Sequence, residues 1–524
     1  MRFLLLLLSL LLAAECRPFK ILMFTPRFAH SHTTYMGKIA DALVEAGHDV
    51  TVFLPEISKN VRTNGTKLAK TITMPPADRV VKQFEGDAYF VDVWTASSTN
   101  PIVQQHLMSF VADTMAMQCE ELVKQDEIFE RFRRERFDLG IVEVFDMCGL
   151  GFFEAIGVKK TIVTSSTVLF DGMARALGVP SPPSFVPCSF STSGESMTFF
   201  ERLSNMFSLN FVGYMFHDRT KNLEQKYFQD KFGPEFPDFD ELIARASIAL
   251  VNSEPIIDFA RPTLNKVIYI GGIGVPTPQP LNEFWTQVMD KREKVVLISF
   301  GSFAQSYVMP MKMKEALKEA MRRFPDVTFI WKYENEDDDI GRGVPNLVAK
   351  AWVPQADLLN HPNLKAFVTH AGMNSIIEAS HRGVPLVTIP LFGEQLRNAK
   401  MTKKLGISVS VEKEKLFDSN ALEGAIRSIL NDETYQTTAK RVAKMIAKRP
   451  IPIKQSLVRH VEFAAEFGEM PTFDPMGRKL SWIAYFSLDI MAAVAVSLLS
   501  LGLTFLVIVV KIFQLVSSKK YKAE

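Results

Sequence analysis

The segment Phe367–Ala379, "FVTHAGMNSIIEA", runs from a hydrophobic stretch through a histidine and small residues into a helix-like pattern. A strand that ends at Thr369, followed by a helix that starts around Ala371–Ser375, would present free backbone N–H groups and the positive end of the helix dipole. Such a junction predicts a site for an anionic phosphate. The residues that could donate hydrogen bonds there, or let a ligand approach the backbone closely, are His370, Gly372, Asn374 and Ser375.

Residues that suit a nucleotide sugar flank this junction. Trp352 and Gln355 stand in "AWVPQADLL", a flat aromatic ring beside an amide, which suits stacking and edge recognition of a nucleobase such as uracil. One turn into the helix, Glu378 could accept hydrogen bonds from ribose hydroxyls. Glu394 and Gln395 follow the next strand and offer acceptors and donors to sugar hydroxyls. The ordered series is far more informative than any one of its members.

The first part of the chain offers a candidate base. In "TPRFAHSHTTYMGK", His32 lies where the first strand gives way to a helix, and a neutral imidazole there could take a proton from a hydroxyl. This turn lacks the GxGxxG pattern of a dinucleotide site, and "GGIGV" (Gly271–Val275) opens no helix, which argues against a nicotinamide dehydrogenase. Neither CxxC nor HExxH is present to suggest a metal site, so no metal is expected.

The elements that must position these residues alternate regularly. A short strand over Lys20–Pro26, a helix over Tyr35–Gly47 and a strand over His48–Pro55 predict a βαβ unit with parallel strands. A second alternating set begins at Lys294, after the Gly- and Pro-rich Gly271–Phe284. The pattern therefore predicts an α/β fold with two doubly wound sheets that face a cleft at the carboxyl ends of their strands.

The two ends of the chain predict targeting and a membrane anchor. Residues 1–16 have one positive charge, an apolar run and then small residues, as in a secretory signal peptide. The uncharged stretch Ile490–Val510 is long enough to cross a bilayer, and the lysines that follow place the tail in the cytosol. The last residues, "KYKAE", are either a dilysine endoplasmic-reticulum retrieval signal or a generic basic flank.

Composition narrows the class of protein further. The net charge of +2 over 524 residues, without a basic and aromatic stretch, gives no reason to expect nucleic acid. Once Cys16 leaves with the signal peptide, Cys119, Cys148 and Cys188 remain, an odd number that cannot all pair within the chain. Asn64 heads the sequon "NGT" and is a candidate glycosylation site.

The stretch from Phe367 to Gln395, "FVTHAGMNSIIEASHRGVPLVTIPLFGEQ", resembles the UDP-glycosyltransferase signature. Together with the predicted signal peptide, the single C-terminal span and the dilysine tail, the whole chain resembles an animal UDP-glucuronosyltransferase. The resemblance implies the GT-B fold and a lumenal, inverting transfer of glucuronic acid from UDP-glucuronate to small lipophilic acceptors, with no cofactor besides the donor. The alternatives are a UDP-glucosyltransferase of the same fold and a non-catalytic lumenal binding protein.

The resemblance also implies roles for single residues. Trp352 and Gln355 would hold uracil, Glu378 the ribose, and Glu394 with Gln395 the transferred sugar. The residues that would hold the diphosphate are Ser302 of the "SFGS" turn, His370, Gly372, Asn374 and Ser375.

His32, rather than His30, matches the place of the family's base. Two positions depart from the family, because Glu394 and Glu143 stand where aspartate is usual. Glu143 is favoured as the partner of His32, with Asp146 as the alternative.

The predicted boundaries follow from these observations, and the sequence leaves homo- or hetero-oligomerisation open. The predicted segments are a signal peptide (1–16), an acceptor domain (17–275), a UDP-sugar domain (285–450), a return helix with a membrane-proximal segment (451–480), a transmembrane helix (488–510) and a cytosolic tail (511–524).

Overall fold

The computed structural model describes residues 18–84 and 88–521, and the chain divides into two compact units, the first ending at Phe473 and the second starting at Asp474. The predicted signal peptide and residues 522–524 of the tail lie outside the described residues.

The first part of the chain builds a seven-stranded parallel sheet in the order β3-β2-β1-β4-β5-β6-β7. Its strands are β1 (Lys20–Phe24), β2 (Asp49–Pro55), β3 (Lys70–Met74), β4 (Leu139–Glu143), β5 (Thr161–Ser165), β6 (Ile248–Val251) and β7 (Val267–Tyr269). Successive residues of one strand enter different clusters, with Leu22 and Phe24 on one face and Ile21 and Met23 on the other. Both faces are therefore buried, as expected for a parallel sheet covered by helices.

A second parallel sheet has six strands in the order β10-β9-β8-β11-β12-β13. Its strands are β8 (Lys294–Ser299), β9 (Val327–Lys332), β10 (Leu347–Lys350), β11 (Leu364–Thr369), β12 (Leu386–Thr388) and β13 (Ser408–Ser410). Alternate residues of β8 again enter opposite clusters, Val296 and Ile298 on one face and Val295 and Leu297 on the other. The two doubly wound sheets predicted from the alternating pattern are thus confirmed.

Helices connect these strands. In the first part they are α1 (His30–Glu45), α2 (Asp78–Gln83), α3 (Ala88–Thr95), α4 (Pro101–Val123), α5 (Asp126–Glu135), α6 (Cys148–Ile156), α7 (Asp171–Leu177), α8 (Phe199–Ser208), a π-helical turn (Leu209–Tyr214), α9 (Met215–Phe232) and α10 (Phe239–Arg245). In the second part they are α11 (Glu283–Asp290), α12 (Met311–Arg322), α13 (Gln355–Leu359), α14 (Met373–Arg382), α15 (Gln395–Lys404), α16 (Ser419–Asn431), α17 (Glu433–Ala447) and α18 (Ile453–Phe467).

Helix α1 begins at His30, so the prediction that it starts at Tyr35 was wrong. The residues "HSHTT" are polar and poor helix formers, which is why the sequence pattern favours a loop there. In the structure the Thr33 hydroxyl donates to the carbonyl of Ala29 at 3.1 Å, and Thr33 and Tyr35 are buried. Tertiary contacts therefore extend the helix by one turn and put His32 on it.

Two segments connect the sheets. Val93 and Trp94, at the end of α3, pack in the core of the second sheet, and the Trp94 indole donates to the carbonyl of Gln305 at 3.0 Å. In the other direction, α18 returns to the first sheet, where Leu457 and Val461 are fully buried. The chain thus crosses between the two sheets more than once.

The three cysteines predicted for the mature chain form one pair and leave one thiol. Cys119 of α4 and Cys148 of α6 form a disulfide, and Cys188 is buried with a free thiol. The disulfide fixes α4 to the start of the helix that follows β4.

The second compact unit contains α19 (Trp482–Tyr485) and α20 (Leu488–Tyr521). Within α20, Leu488–Ser517 is long and apolar enough to cross a membrane, with a mean hydropathy of 2.7 over an 18-residue window. The segment fits the single span predicted over residues 488–510.

Candidate active site

Both sheets reverse their strand order beside the first strand of each set, between β1 and β4 and between β8 and β11. Ligands of open α/β sheets bind at the carboxyl ends of the strands at such a switch point. The predicted residues follow these four strands. His32 follows β1 and Glu143 ends β4, while Ser302 follows β8 and His370 follows β11.

His32 and Glu143 form a hydrogen-bonded pair. The distance from His32 Nδ1 to Glu143 Oε1 is 2.8 Å, and both side chains are largely buried. An ionised carboxylate can only accept, so Nδ1 carries the proton and Nε2 keeps its lone pair. The rings of Phe28 and Phe145, at centroid distances of 4.5 and 5.3 Å, hold the imidazole from the sides.

Ser166, directly after β5, completes this arrangement. Its backbone N–H donates to Glu143 Oε1 at 3.0 Å, and its hydroxyl lies 2.8 Å from His32 Nδ1. Burial alone would raise the pKa of Glu143, but the charge and hydrogen bond of His32 and the hydrogen bonds of Ser166 outweigh it, so the pKa lies below its ordinary value. The carboxylate therefore stays ionised and can stabilise an imidazolium.

Asp146, the alternative partner, contacts a different group. Its Oδ1 accepts from the backbone N–H of Cys148 at 2.9 Å, and its carboxyl faces Glu224 of α9. Burial raises the pKa of Asp146 to about 7 and raises that of Glu224 as well. Two buried carboxyls in contact hold a proton, which does not suit the role of an anionic partner for His32.

The turn between β11 and α14 is tightly built around His370. Ala371 has φ 65°, and Gly372 is the N-cap of the helix. A Cβ on Gly372 would lie 2.5 Å from His370 Nε2, and one on Gly301 would lie 2.9 Å from the same ring. Burial, with the Lys332 ammonium nearby, lowers the pKa of His370 to about 4. At neutral pH the imidazole is therefore neutral, with one N–H to donate.

Lys332, at the end of β9, is a site residue that the sequence analysis missed. Its ammonium donates to the carbonyl of Gly301 at 2.8 Å and lies 5.8 Å from the centre of the Trp352 ring. The signal was present as a lysine at the end of the hydrophobic run "VTFIW". The ammonium also pairs with Glu334 Oε1 at 3.0 Å, so its charge beside His370 is shared with a carboxylate.

Gln355 and Glu378 form a pair, whereas Trp352 lies beside His30 and Lys332. The Gln355 amide donates to Glu378 Oε2 at 2.7 Å. Trp352 is 62% exposed, and its ring lies 5.5 Å from the ring of His30. His30 therefore belongs beside the aromatic platform, whereas His32 belongs to the pair with Glu143.

Glu394 and Gln395 lie at the start of α15. Gln395 is buried, and its Oε1 accepts from the backbone N–H groups of Leu391 and Phe392 at 2.9 and 3.2 Å, which turns its NH₂ group the other way. Burial raises the pKa of Glu394, and the charge of His32 acts against this rise. The two carboxylates that depart from the family pattern, Glu143 and Glu394, thus both lie within electrostatic reach of His32.

An apolar cavity lies beside the base. It shares Phe28 with the surroundings of His32 and takes one wall, Phe303, from the turn after β8. The remaining lining residues, mostly aromatic or aliphatic, are Ile57, Phe84, Phe110, Val111, Thr114 and Met115. The irregular segment Ser181–Ser193 lies against α15, where the Pro187 carbonyl accepts from Arg397.

The sequon residue Asn64 lies in a loop near β3 and is half-buried. Its Oδ1 accepts from Arg27 at 3.0 Å, and its Nδ2 lies 3.4 Å from the Thr71 hydroxyl.

Comparisons with known proteins agree with this geometry. The family described as "UDP-glucoronosyl and UDP-glucosyl transferase" matches residues 20–524. The chain is 30% identical to ugt-48 of Caenorhabditis elegans over 91% of each chain, and 28% identical to mouse UDP-glucuronosyltransferase 1A7 over 92% of this chain and 89% of the mouse protein. The structure of TcCGT1 in complex with UDP covers 86% of this chain and 99% of its own, with a TM-score of 0.56 at 15% identity. The fold is thus that of the GT-B glycosyltransferases, and the chain belongs to the UDP-glucuronosyl and UDP-glucosyl transferase family and is a UDP-sugar-dependent glycosyltransferase.

Proposed function

We propose that this enzyme transfers glucuronic acid, with inversion, from UDP-glucuronate to a hydroxyl or amine of small lipophilic acceptors. The observation that carries the proposal is the pair of His32 and Glu143 at 2.8 Å in a cleft shared with the start of α14. A base on one wall and a helix N-terminus on the other provide for the attacking group and for the leaving group.

The reaction would proceed in one displacement. His32 Nε2 takes the proton of the acceptor hydroxyl as the oxygen attacks C1 of the sugar, and Glu143 stabilises the imidazolium. The bond between C1 and the β-phosphate oxygen breaks, and UDP leaves with that electron pair. The start of α14, with His370, Asn374 and Ser375, would stabilise the charge that develops on the diphosphate, and Ser302 would contact it from β8.

The donor would be held by the remaining predicted residues. Trp352 would stack on uracil, and Gln355 would bind its edge. Glu378 would accept from the ribose, and Glu394 with Gln395 would bind the sugar. Burial raises the pKa of Glu394, the carboxyl that would face the sugar.

A lipophilic acceptor is supported by the cavity that contains Phe28 and Phe303, since its lining offers aromatic and aliphatic surface and one hydroxyl, from Thr114. The base would act at the edge of this cavity.

The chain would be an endoplasmic-reticulum glycoprotein with both sheets in the lumen, a single span within Leu488–Ser517 and a short cytosolic tail. The disulfide between Cys119 and Cys148 supports an oxidising compartment. Asn64, half-buried in its loop near β3, would carry the glycan.

The test is to give microsomes that contain the full chain each radiolabelled UDP-sugar with one phenolic acceptor. Labelled conjugate should form from UDP-glucuronate far faster than from UDP-glucose. Product from UDP-glucose alone would assign the enzyme as a glucosyltransferase, and binding of UDP without any conjugate would favour the non-catalytic reading. Microsomes with His32→Ala provide the background rate.

A further inference from the structure

One buried amide connects the two walls of the cleft. The first wall consists of residues at the strand ends of the seven-stranded sheet, and the second wall of residues at the strand ends of the six-stranded sheet. Asn252 follows β6 directly, is 1% exposed and is not part of the predicted site. Its Nδ2 donates to the carbonyl of Ser166 and to Oδ1 of Asn374, both at 2.7 Å. Ser166 touches His32 and Glu143, whereas Asn374 is in the first turn of α14. Asn252 therefore stands between the base and the helix start.

The carbonyl of Ser166 determines how both amides are turned. A carbonyl only accepts, so the Asn252 atom that faces it must be the NH₂ group. The second hydrogen of this NH₂ group needs an acceptor as well, and the Asn374 atom that faces it must be Oδ1. The NH₂ group of Asn374 is then turned away from Asn252 and can donate to a ligand at the helix start.

The opposite orientation of Asn374 would be unfavourable for an anion. Its Oδ1 would then face the oxygens of a diphosphate, and two acceptors with negative charge repel each other. One hydrogen bond from the other wall excludes this orientation.

We propose that Asn252 is a positioning residue that orients the Asn374 amide toward the diphosphate of the donor. This inference rests on the proposed role of Asn374 in diphosphate binding and adds to it the residue that sets its direction. Because Asn252 comes from the first wall, the donor site on the second wall is complete only when the two walls are in contact.

The test is a double-mutant cycle on UDP binding with the full chain in detergent. Asn252→Asp has the same shape but no N–H, so both hydrogen bonds to acceptors are lost. We expect the Kd for UDP to rise roughly tenfold in the native background, which is the range of a hydrogen bond to a charged group. In an Asn374→Ala background the same change should alter the Kd by less than about twofold, because no amide remains to be oriented.

Asn346→Asp is the matched control. Asn346 is buried in the second wall, and its Nδ2 donates to the carbonyls of Met321, Phe324 and Val327, away from the cleft. The same chemical change there should lower the melting temperature and leave the Kd for UDP unchanged. A role of Asn252 in stability alone would give the same pattern as this control.

Several outcomes would overturn the inference. They are an unchanged Kd for UDP in Asn252→Asp, an equal rise of the Kd in both backgrounds, and unfolding of both Asn252→Asp and Asn252→Ser while Asn346→Asp stays folded. Failure of the native chain to bind UDP would instead contradict the proposed function. Measuring the native chain first separates the two failures.

Discussion

The two walls of the cleft have the same strand topology but assemble their chemistry differently. On the second wall, half of the ten proposed donor residues belong to one continuous turn and helix, from His370 to Glu378. On the first wall, His32 lies in the first turn of α1, whereas Glu143 ends β4 and Ser166 follows β5, and the three are separated by up to 134 residues in sequence. One site is a local motif, and the other exists only after the sheet has formed.

The walls also differ in charge. On the first wall the pKa of Glu143 is held below its ordinary value, so that a carboxylate supports the histidine beside it. On the second wall His370 has a pKa of about 4 and lies near the Lys332 ammonium. The first histidine thus has an ionised carboxylate as its partner, and the second stays neutral. This difference fits the roles proposed for the two residues. His32 would activate the acceptor as a base, and His370 would donate a hydrogen bond to the leaving diphosphate.

The largest expected effect comes from mutating the histidine and the carboxylate of the first wall while the second wall stays intact. Glu143→Gln removes the negative charge and allows the wrong tautomer of His32, and His32→Ala removes the base. We expect kcat to fall about 10²- to 10⁴-fold in either variant, as for other base–carboxylate pairs. The Kd for UDP should stay within about twofold, because the donor residues of the second wall are intact. Initial rates and UDP binding on the same preparation measure both quantities.

Asp146→Asn is the control for this prediction, since it changes an acid only three residues away. Its kcat should remain near that of the native enzyme, because Asp146 faces Glu224 rather than His32. If Asp146→Asn lost as much activity as Glu143→Gln, the assignment of the partner carboxylate would be wrong.

The contrast between the walls also explains what the sequence could predict. The second-wall residues stand in one ordered stretch, so their types and spacing were enough to predict a phosphate turn with its neighbours. Strands such as β1, β2 and β11 were predicted because hydrophobic runs alternate with helical patterns, whereas the edge strands β3, β7 and β13 were not. In each case the information is local in the chain.

The residues that were missed depend on contacts between distant segments. Ser166 and Asn252 each follow a buried strand, a signal that was available but does not say which strand ends meet. The start of α1 was predicted at Tyr35 because tertiary burial, rather than helix propensity, forms its first turn at His30. For the same reason the pairing of Cys119 with Cys148 could not be read from three cysteines.

An effect of intermediate size is expected from a change in the proposed uracil-binding residue of the second wall. Trp352→Ala removes the exposed ring on which uracil would stack, and stacking of a base on an aromatic ring contributes about 1–3 kcal/mol. The Kd for UDP should therefore rise roughly 5- to 150-fold, while the pH dependence of kcat at saturating donor stays unchanged. Calorimetry with UDP measures the first quantity and rate profiles the second.

Trp482→Ala provides the control, because Trp482 is similarly exposed, at 70%, but lies in the second compact unit. Its Kd for UDP should equal that of the native chain. A Trp352→Ala variant with native affinity for UDP would remove uracil stacking from the proposal.

The smallest expected effect concerns the acid of the first wall that the reaction does not use. Burial raises the pKa of Asp146 to about 7, above its value of 3.8 in the unfolded chain. Below pH 3.8 both states hold the proton, and this contribution to stability is fully present. As pH rises toward 7 the unfolded chain loses the proton first, so the contribution is lost. The side chain of Asp146→Asn cannot ionise, so roughly one proton less is released when this variant unfolds. Its melting temperature should therefore decline less steeply between pH 5 and pH 7 than that of the native chain. Parallel slopes for the two proteins would mean that Asp146 is ionised in the folded state, and Asp146 would then compete with Glu143 as the anionic carboxylate of the first wall.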